Sequence, residues 1–337
     1  MFERIQPAPQ DPILGLSAIF AADNRAHKIN LGVGEYRDAT GVTPVLDVVR
    51  TAESRLGEST PSKVYLPIDG TPDYGRVVRE LVFGSESNEQ ANTVTVQSPG
   101  GTGALRIAAD FAARHFSQAR VWLPDPTWAN HPKIFEAAGL TCRSYPYYDA
   151  ASRQLDTGRL LAGLAETQAG DLVLLHACCH NPTGVDLNAD TWAAVAKILA
   201  ERGALPLIDF AYQGFGEGLE EDAKGLRIFQ KLVPEFFVAS SFSKNFGLYQ
   251  DRVGALSVVT TDAEQASSVL SQLKICVRTS FSNPPAHGSA LVTTILNDND
   301  LRSLWLDELA HMRNRINKMR QSLVAGLTQQ GATQDFS

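Results

Sequence analysis

The sequence predicts an α/β protein: a large three-layer α/β/α domain around a mostly parallel, mixed sheet, with a smaller second domain. Three observations predict it. Short β-rich runs alternate with amphipathic runs through the middle of the chain. The 337 residues exceed what one ordinary core organises. From Leu301 onward the pattern changes to one long helix, with Leu304, Leu309, Met312, Ile316, Met319 and Leu323 at roughly helical spacing, and Gly331 as its stop.

The elements follow in order. Thr93 to Gln97 reads as a strand, Ser98 to Gly103 as a turn and Ala104 to His115 as a helix. Arg120 to Leu123 is a second strand, closed by Pro124 and Pro126, and Leu140 to Tyr145 a third. The apolar run from Asp171 to Ala177 reads as a buried strand. Thr191 to Arg202 is helical, with Asp190 as candidate N-cap and Gly203 as the stop. Leu205 to Phe210, Phe236 to Ser241 and Val253 to Thr260 complete the strands. Sheets of this kind hold ligands at the carboxyl ends of their strands.

Composition narrows the function. With 44% apolar and 20% charged residues the chain is a globular protein, and a net charge of −7 argues against a nucleic-acid surface. No signal-peptide run or membrane-length apolar stretch occurs. Cys142, Cys178, Cys179 and Cys276 form no disulfide framework, so a reducing, cytoplasmic compartment is expected.

Several blocks carry chemistry. In Ser240-Ser-Phe-Ser-Lys-Asn-Phe-Gly247 a lysine follows a strand among serines. Burial there would make Lys244 a usable amine, able to form an imine with an aldehyde cofactor. The serine hydroxyls and Arg252 would suit a phosphate. The plain alternative is a solvated surface lysine. Pro99-Gly-Gly-Thr-Gly-Ala104, between strand and helix, reads as a phosphate cradle or as an ordinary tight turn. Asp209 ends an apolar strand and needs a cationic partner, such as a protonated pyridine nitrogen, unless it caps the following loop. Tyr212 lies three residues on.

His176-Ala-Cys-Cys-His-Asn-Pro-Thr-Gly184 invites a zinc reading, but the spacing suits structural zinc poorly, and no metal is expected. The segment fits better as a loop presenting Asn181 to a ligand. Trp128 offers a ring for stacking, or is a core residue. Arg278, ahead of a Pro-Pro turn, could pair with a ligand carboxylate or form a surface ion pair.

Taken together these blocks resemble the class I pyridoxal-phosphate-dependent aminotransferases, in particular the aspartate and aromatic amino-acid aminotransferases. The likeness spans essentially the whole chain. It includes Asp11-Pro-Ile-Leu-Gly15, Asn30-Leu-Gly-Val-Gly34, Tyr65-Leu-Pro-Ile-Asp-Gly70, Cys178-Cys-His-Asn-Pro-Thr-Gly184, Asp209-Phe-Ala-Tyr-Gln-Gly-Phe215 and Ser241-Phe-Ser-Lys-Asn-Phe-Gly-Leu-Tyr249.

The resemblance implies the type I fold of pyridoxal-phosphate-dependent transferases. A large cofactor domain would cover residues 46–310. Residues 1–45 and 311–337 would form a small domain, incomplete at its C-terminus. It further implies that Lys244 carries pyridoxal 5′-phosphate as a Schiff base and shuttles the substrate proton. Asp209 would hold the pyridine nitrogen protonated, with His131 and His176 positioning it. Tyr212 and Asn181 would bind the phenolic oxygen, and Trp128 would stack on the ring. Gly101, Thr102, Ser241 and Arg252 would bind the phosphate, joined by Tyr65 from the neighbouring subunit of a homodimer. Arg278 would take the substrate's distal carboxylate across that interface, and Gly34 would lie over the substrate on a mobile N-terminal segment.

The implied reaction moves the amino group of L-aspartate, and secondarily of aromatic amino acids, to 2-oxoglutarate by a ping-pong mechanism. In this family the arginine for the α-carboxylate lies beyond the long helix. The sequence ends at Ser337 with no equivalent, so impaired transamination is expected. Alternative readings are a non-catalytic or regulatory dimer on the same fold, a β-lyase or decarboxylase, and a nucleotide-dependent oxidoreductase. The last has Arg106 where a dinucleotide fingerprint needs its third glycine.

Overall fold

A computed structural model describes residues 1–7, 14–30, 32, 34–59, 62–85, 91–116 and 118–334. The chain divides into two compact units, Met1–Pro44 and Val45–Ser337. The first contains α1 (Leu14–Ala22). The Asp11 to Ile13 part of the first family motif, together with Leu31 and Val33 of the second, lies outside the described residues.

The second unit opens with α2 (Asp47–Ser59), α3 (Pro72–Phe83), β1 (Thr93–Pro99), α4 (Gly100–His115), β2 (Arg120–Asp125), α5 (His131–Ala137) and β3 (Thr141–Pro146). A small ribbon of β4 (Tyr148–Asp149) and β5 (Gln154–Leu155) leads to α6 (Thr157–Leu164), β6 (Leu172–His176), α7 (Ala189–Arg202) and β7 (Leu205–Phe210). Then come α8 (Lys224–Gln230), β8 (Phe236–Ser241), β9 (Val253–Val259), α9 (Ala263–Ser280), α10 (Ala286–Asn297) and α11 (Asn299–Gln329).

The main sheet has seven strands in the order β1-β9-β8-β7-β6-β2-β3. β9 pairs antiparallel with both neighbours, while β8, β7, β6, β2 and β3 are parallel. Continuous apolar runs such as Leu172–Leu175 and Phe236–Ala239 are buried throughout, as parallel strands covered on both faces must be. Leu123, Leu174, Leu207, Phe237 and Val258 share one core cluster with α4 residues Leu105, Ala108 and Phe111. All four cysteines are free thiols. Among the described residues no helix is long and apolar enough to cross a membrane.

Two local expectations need correction. The N-cap of α7 is Asn188, whose side chain accepts from the Thr191 N–H at 2.9 Å, and Asp190 lies inside the first turn, where its charge suits the helix dipole. Helix α4 begins at Gly100, four residues earlier than its apolar period shows, because glycines carry no periodicity. On α11 the buried stripe is Leu301, Trp305, Leu309 and Met312, whereas Leu304, Met319 and Leu323 are exposed. Helical spacing leaves that choice open, and the indole decides it.

Trp305 is fully buried, stacks on Phe246 with ring centroids 4.4 Å apart, and donates from Nε1 to the Asn245 carbonyl at 2.7 Å. Trp305→Ala leaves both a cavity and an unpaired carbonyl. It is expected to destabilise the protein by about 3–5 kcal/mol. The check is denaturant unfolding, where the midpoint should fall while the slope holds.

Candidate active site

The polar residues gather at one edge of the sheet because parallel strands end there together. His176 closes β6 and pairs in register with Asp209 on β7, and Ser241 closes β8. β9 runs the other way, so its beginning lies at this same edge, with Ser241 opposite Gly254 and Pro99 opposite Val253. Arg252 therefore joins the group from immediately before that strand.

Lys244 follows β8 and is half-buried. Its Nζ lies 4.4 Å from the centroid of the Tyr212 ring. Burial lowers its affinity for a proton, and the Arg252 charge adds to this, with Asp209 opposing. Tyr212 is pushed up to about 12, chiefly by burial and then by Asp209, while a hydrogen bond with the Asn181 side chain pulls the other way. At neutral pH the phenol thus keeps its proton and can donate it.

Asp209 is buried, and its Oδ2 lies 3.0 Å from His131 Nε2. Burial alone would raise this carboxyl. The His131 hydrogen bond, with the nearby Lys244 charge, holds it below the usual range, so it is an anion. Thr127 Oγ1, 2.7 Å from His131 Nδ1, fixes the far side of that ring. Trp128 meets His131 edge-on at 5.2 Å. Burial drives His176 down to about 3, so its ring is neutral.

His131, His176 and Asp209 have ligand atoms within 4.8 Å of one another, a spacing that a metal ion could bridge. His131 and Asp209 already spend their nearest atoms on each other.

The opposite end of the group is built for an anion. α4 starts directly after β1 with no side-chain cap, so its first N–H groups, at Gly100, Gly101 and Thr102, face outward from the helix end. Gly100 has φ +74° and lies so close to the Arg252 guanidinium that a Cβ would collide with it. At Gly254 an added Cβ would sit 2.5 Å from the Gly100 carbonyl carbon, so only glycine lets β9 approach α4 this closely. Arg252 Nη1 donates to Ser243 Oγ at 3.1 Å and to the Tyr249 carbonyl at 2.9 Å, and Ser241 Oγ lies 3.3 Å from Ser243 Oγ.

Tyr65 and Arg278 are exposed, and Asn283 links their two segments. Asn283 accepts from Arg278 Nη1 at 3.4 Å and donates from Nδ2 to the Leu66 carbonyl at 2.8 Å. Arg278 also donates to Ser282. Gly34 belongs to the Met1–Pro44 unit, where a Cβ would meet nothing within 4 Å.

Sequence reasoning passed over Thr127, Asp186 and the structural role of His180. Asp186 accepts from the Cys179 and His180 N–H groups at 2.7 and 2.8 Å and so shapes the turn presenting Asn181. An aspartate shortly after Asn-Pro-Thr-Gly is a legible loop-capping signal. His180 stacks on Tyr147 at 4.0 Å, which nothing local announces.

The donor set fits one kind of molecule. It offers a helix N-terminus, two serines and an arginine for a phosphate, and a buried anion for a cationic ring nitrogen. A hydroxyl and an amide are available for a ring oxygen, and a depressed amine for an aldehyde. Comparison with known proteins agrees.

The family described as aminotransferase class I and II matches residues 26–336. The aspartate aminotransferase of Salmonella typhi is 54% identical over all of this chain and 86% of its own length. An aromatic-amino-acid aminotransferase of Pseudomonas aeruginosa is 48% identical, with 100% and 84% of the two chains covered. The crystal structure of the Burkholderia pseudomallei aromatic-amino-acid aminotransferase, covalently bound to pyridoxal phosphate, superposes with a TM-score of 0.97 at 46% identity. It covers 100% of this chain and 85% of that one. The chain therefore belongs to the class I and II aminotransferases. It is a pyridoxal-phosphate-dependent transaminase with amino-acid and oxo-acid substrates, related both to aspartate and to aromatic-amino-acid enzymes.

Proposed function

We propose that this transaminase takes the amino group of L-aspartate, and secondarily of aromatic amino acids, and passes it to 2-oxoglutarate, with Lys244 as the covalent anchor. The observation that carries the reading is the half-buried Lys244 amine, lowered in basicity and 4.4 Å from the Tyr212 ring, one strand away from the Asp209 anion.

Pyridoxal phosphate, when bound, supplies an aldehyde that condenses with amines and a pyridinium ring that takes up an electron pair. Asp209, oriented by His131 and with His176 beside it, would keep a proton on the ring nitrogen. Tyr212 and Asn181 donate to the ring oxygen, and Trp128 covers a ring face. The Gly101 and Thr102 amides, Ser241, Arg252 and the Tyr65 hydroxyl of a second copy hold the phosphate. Lys244 Nζ would accept the proton leaving the substrate α-carbon.

Arg278, acting across a homodimer interface, pairs with the distal carboxylate of a dicarboxylic substrate, which suits its planar fork. The protein works in the cytoplasm.

A spectral titration tests the substrate choice. L-Aspartate is expected to abolish the visible cofactor band, and 2-oxoglutarate to restore it. Phenylalanine or tyrosine should do the same at higher concentration. A band that answers aromatic amino acids but ignores aspartate would overturn the substrate order.

A further inference from the structure

Asn245 is 1% exposed and precedes Phe246, whose ring stacks on Trp305. Trp305 Nε1 holds its backbone carbonyl at 2.7 Å, which fixes the residue from the α11 side. The side-chain Nδ2 donates to the Gln213 carbonyl at 3.3 Å. Gln213 is buried as well and is anchored in turn, its Nε2 donating to the Leu81 carbonyl at 2.9 Å. The Asn245 amide thus joins the residue after Lys244 to the residue after Tyr212.

Its Oδ1 is buried without a hydrogen-bond partner. A buried amide left half unsatisfied is a poor way to fill a core, and an apolar side chain would cost less. What the amide contributes is the donor that ties two turns together. Those turns carry the amine and the phenol ring that lie 4.4 Å apart. Misplacing a reacting group by about 1 Å can cost on the order of 100-fold in rate.

We propose that Asn245 is a positioning residue for Lys244, its amide setting the spacing between the Lys244 amine and the Tyr212 phenol during proton transfer. The inference rests on Lys244 being the residue that carries the cofactor.

The test compares the wild-type holoenzyme with Asn245→Ala, with the near-isosteric, uncharged Asn245→Leu, and with Leu226→Ala, a fully buried α8 residue outside the site. Both Asn245 variants are expected to lower kcat by about 10-fold or more while KM stays within about twofold. They are also expected to move the pH midpoint of the visible cofactor band by at least about half a unit. Leu226→Ala should lose thermal stability with that midpoint unmoved.

Should Asn245→Ala fail to fold, Asn245→Leu carries the test, since it nearly keeps the shape, removes the donor and adds no charge. Wild-type kcat and midpoint in a folded Asn245 variant overturn the proposal, as does an equal shift in Leu226→Ala. A wild-type protein lacking any borohydride-reducible band refutes the Lys244 assignment itself, which is a separate failure.

Discussion

Lys244→Ala is expected to lower turnover by at least about 10,000-fold, because one substitution removes two roles. The first is covalent attachment. An amine attacks an aldehyde only in its neutral form, and an ordinary lysine is almost wholly protonated at neutral pH. Burial shifts Lys244 towards the neutral form, with Asp209 opposing and the Arg252 charge adding to it, so a larger fraction of the amine is reactive than in an ordinary lysine. The second role is proton transfer at the substrate α-carbon, for which no other amine borders Tyr212 among the described contacts.

Lys244→Arg should fare no better, since a guanidinium keeps the charge and loses both functions. The phosphate end does not use Lys244. The alanine variant should therefore still bind the cofactor, releasable by dialysis and no longer fixed by borohydride. Wild-type turnover in Lys244→Ala would end the assignment.

Asp209→Ala is expected to cost roughly 100- to 10,000-fold in kcat, the range corresponding to the roughly 3–5 kcal/mol lost when one partner of a buried charged pair is removed. The carboxylate is held anionic by its surroundings although burial works against it. That effort makes sense if its task is to keep a ring nitrogen cationic. Asp209→Glu should recover part of the loss, because charge is kept while the 3.0 Å contact with His131 is disturbed. Steady-state rates check the prediction, together with the cofactor absorbance, which should shift when the ring nitrogen loses its proton.

Much of the fold was legible because its strands are buried on both faces. Leu172–His176 and Leu205–Phe210 are continuous apolar runs bounded by polar loops, and their limits in sequence and structure nearly coincide. Lys244, Asp209 and Asn181 were legible for the complementary reason. Each is a polar group placed where an apolar strand ends, a position that demands a partner.

What escaped was set by contacts between distant parts of the chain. The Asn245 amide finds its acceptor 32 residues away, and the indole that fixes its carbonyl comes from 60 residues further on. Thr127 matters only because His131 reaches Asp209, 78 residues later. The start of α4 was hidden because its first residues are glycines, and the cap of α7 because Asn188 and Asp190 are both good capping types. Choosing between them requires the backbone.

The reversed strand β9 has a further consequence. Neighbouring strands lie about 4.8 Å apart, so inserting β9 between β1 and β8 sets their ends roughly 10 Å from each other. One end leads into the helix terminus at Gly100, the other into the turn bearing Lys244. On the proposed assignment, the width of that one strand is therefore the gauge between where an anionic tail would be gripped and where a carbonyl would be captured. Backbone hydrogen bonds along both flanks of that strand, and not any flexible side chain, keep the gauge constant.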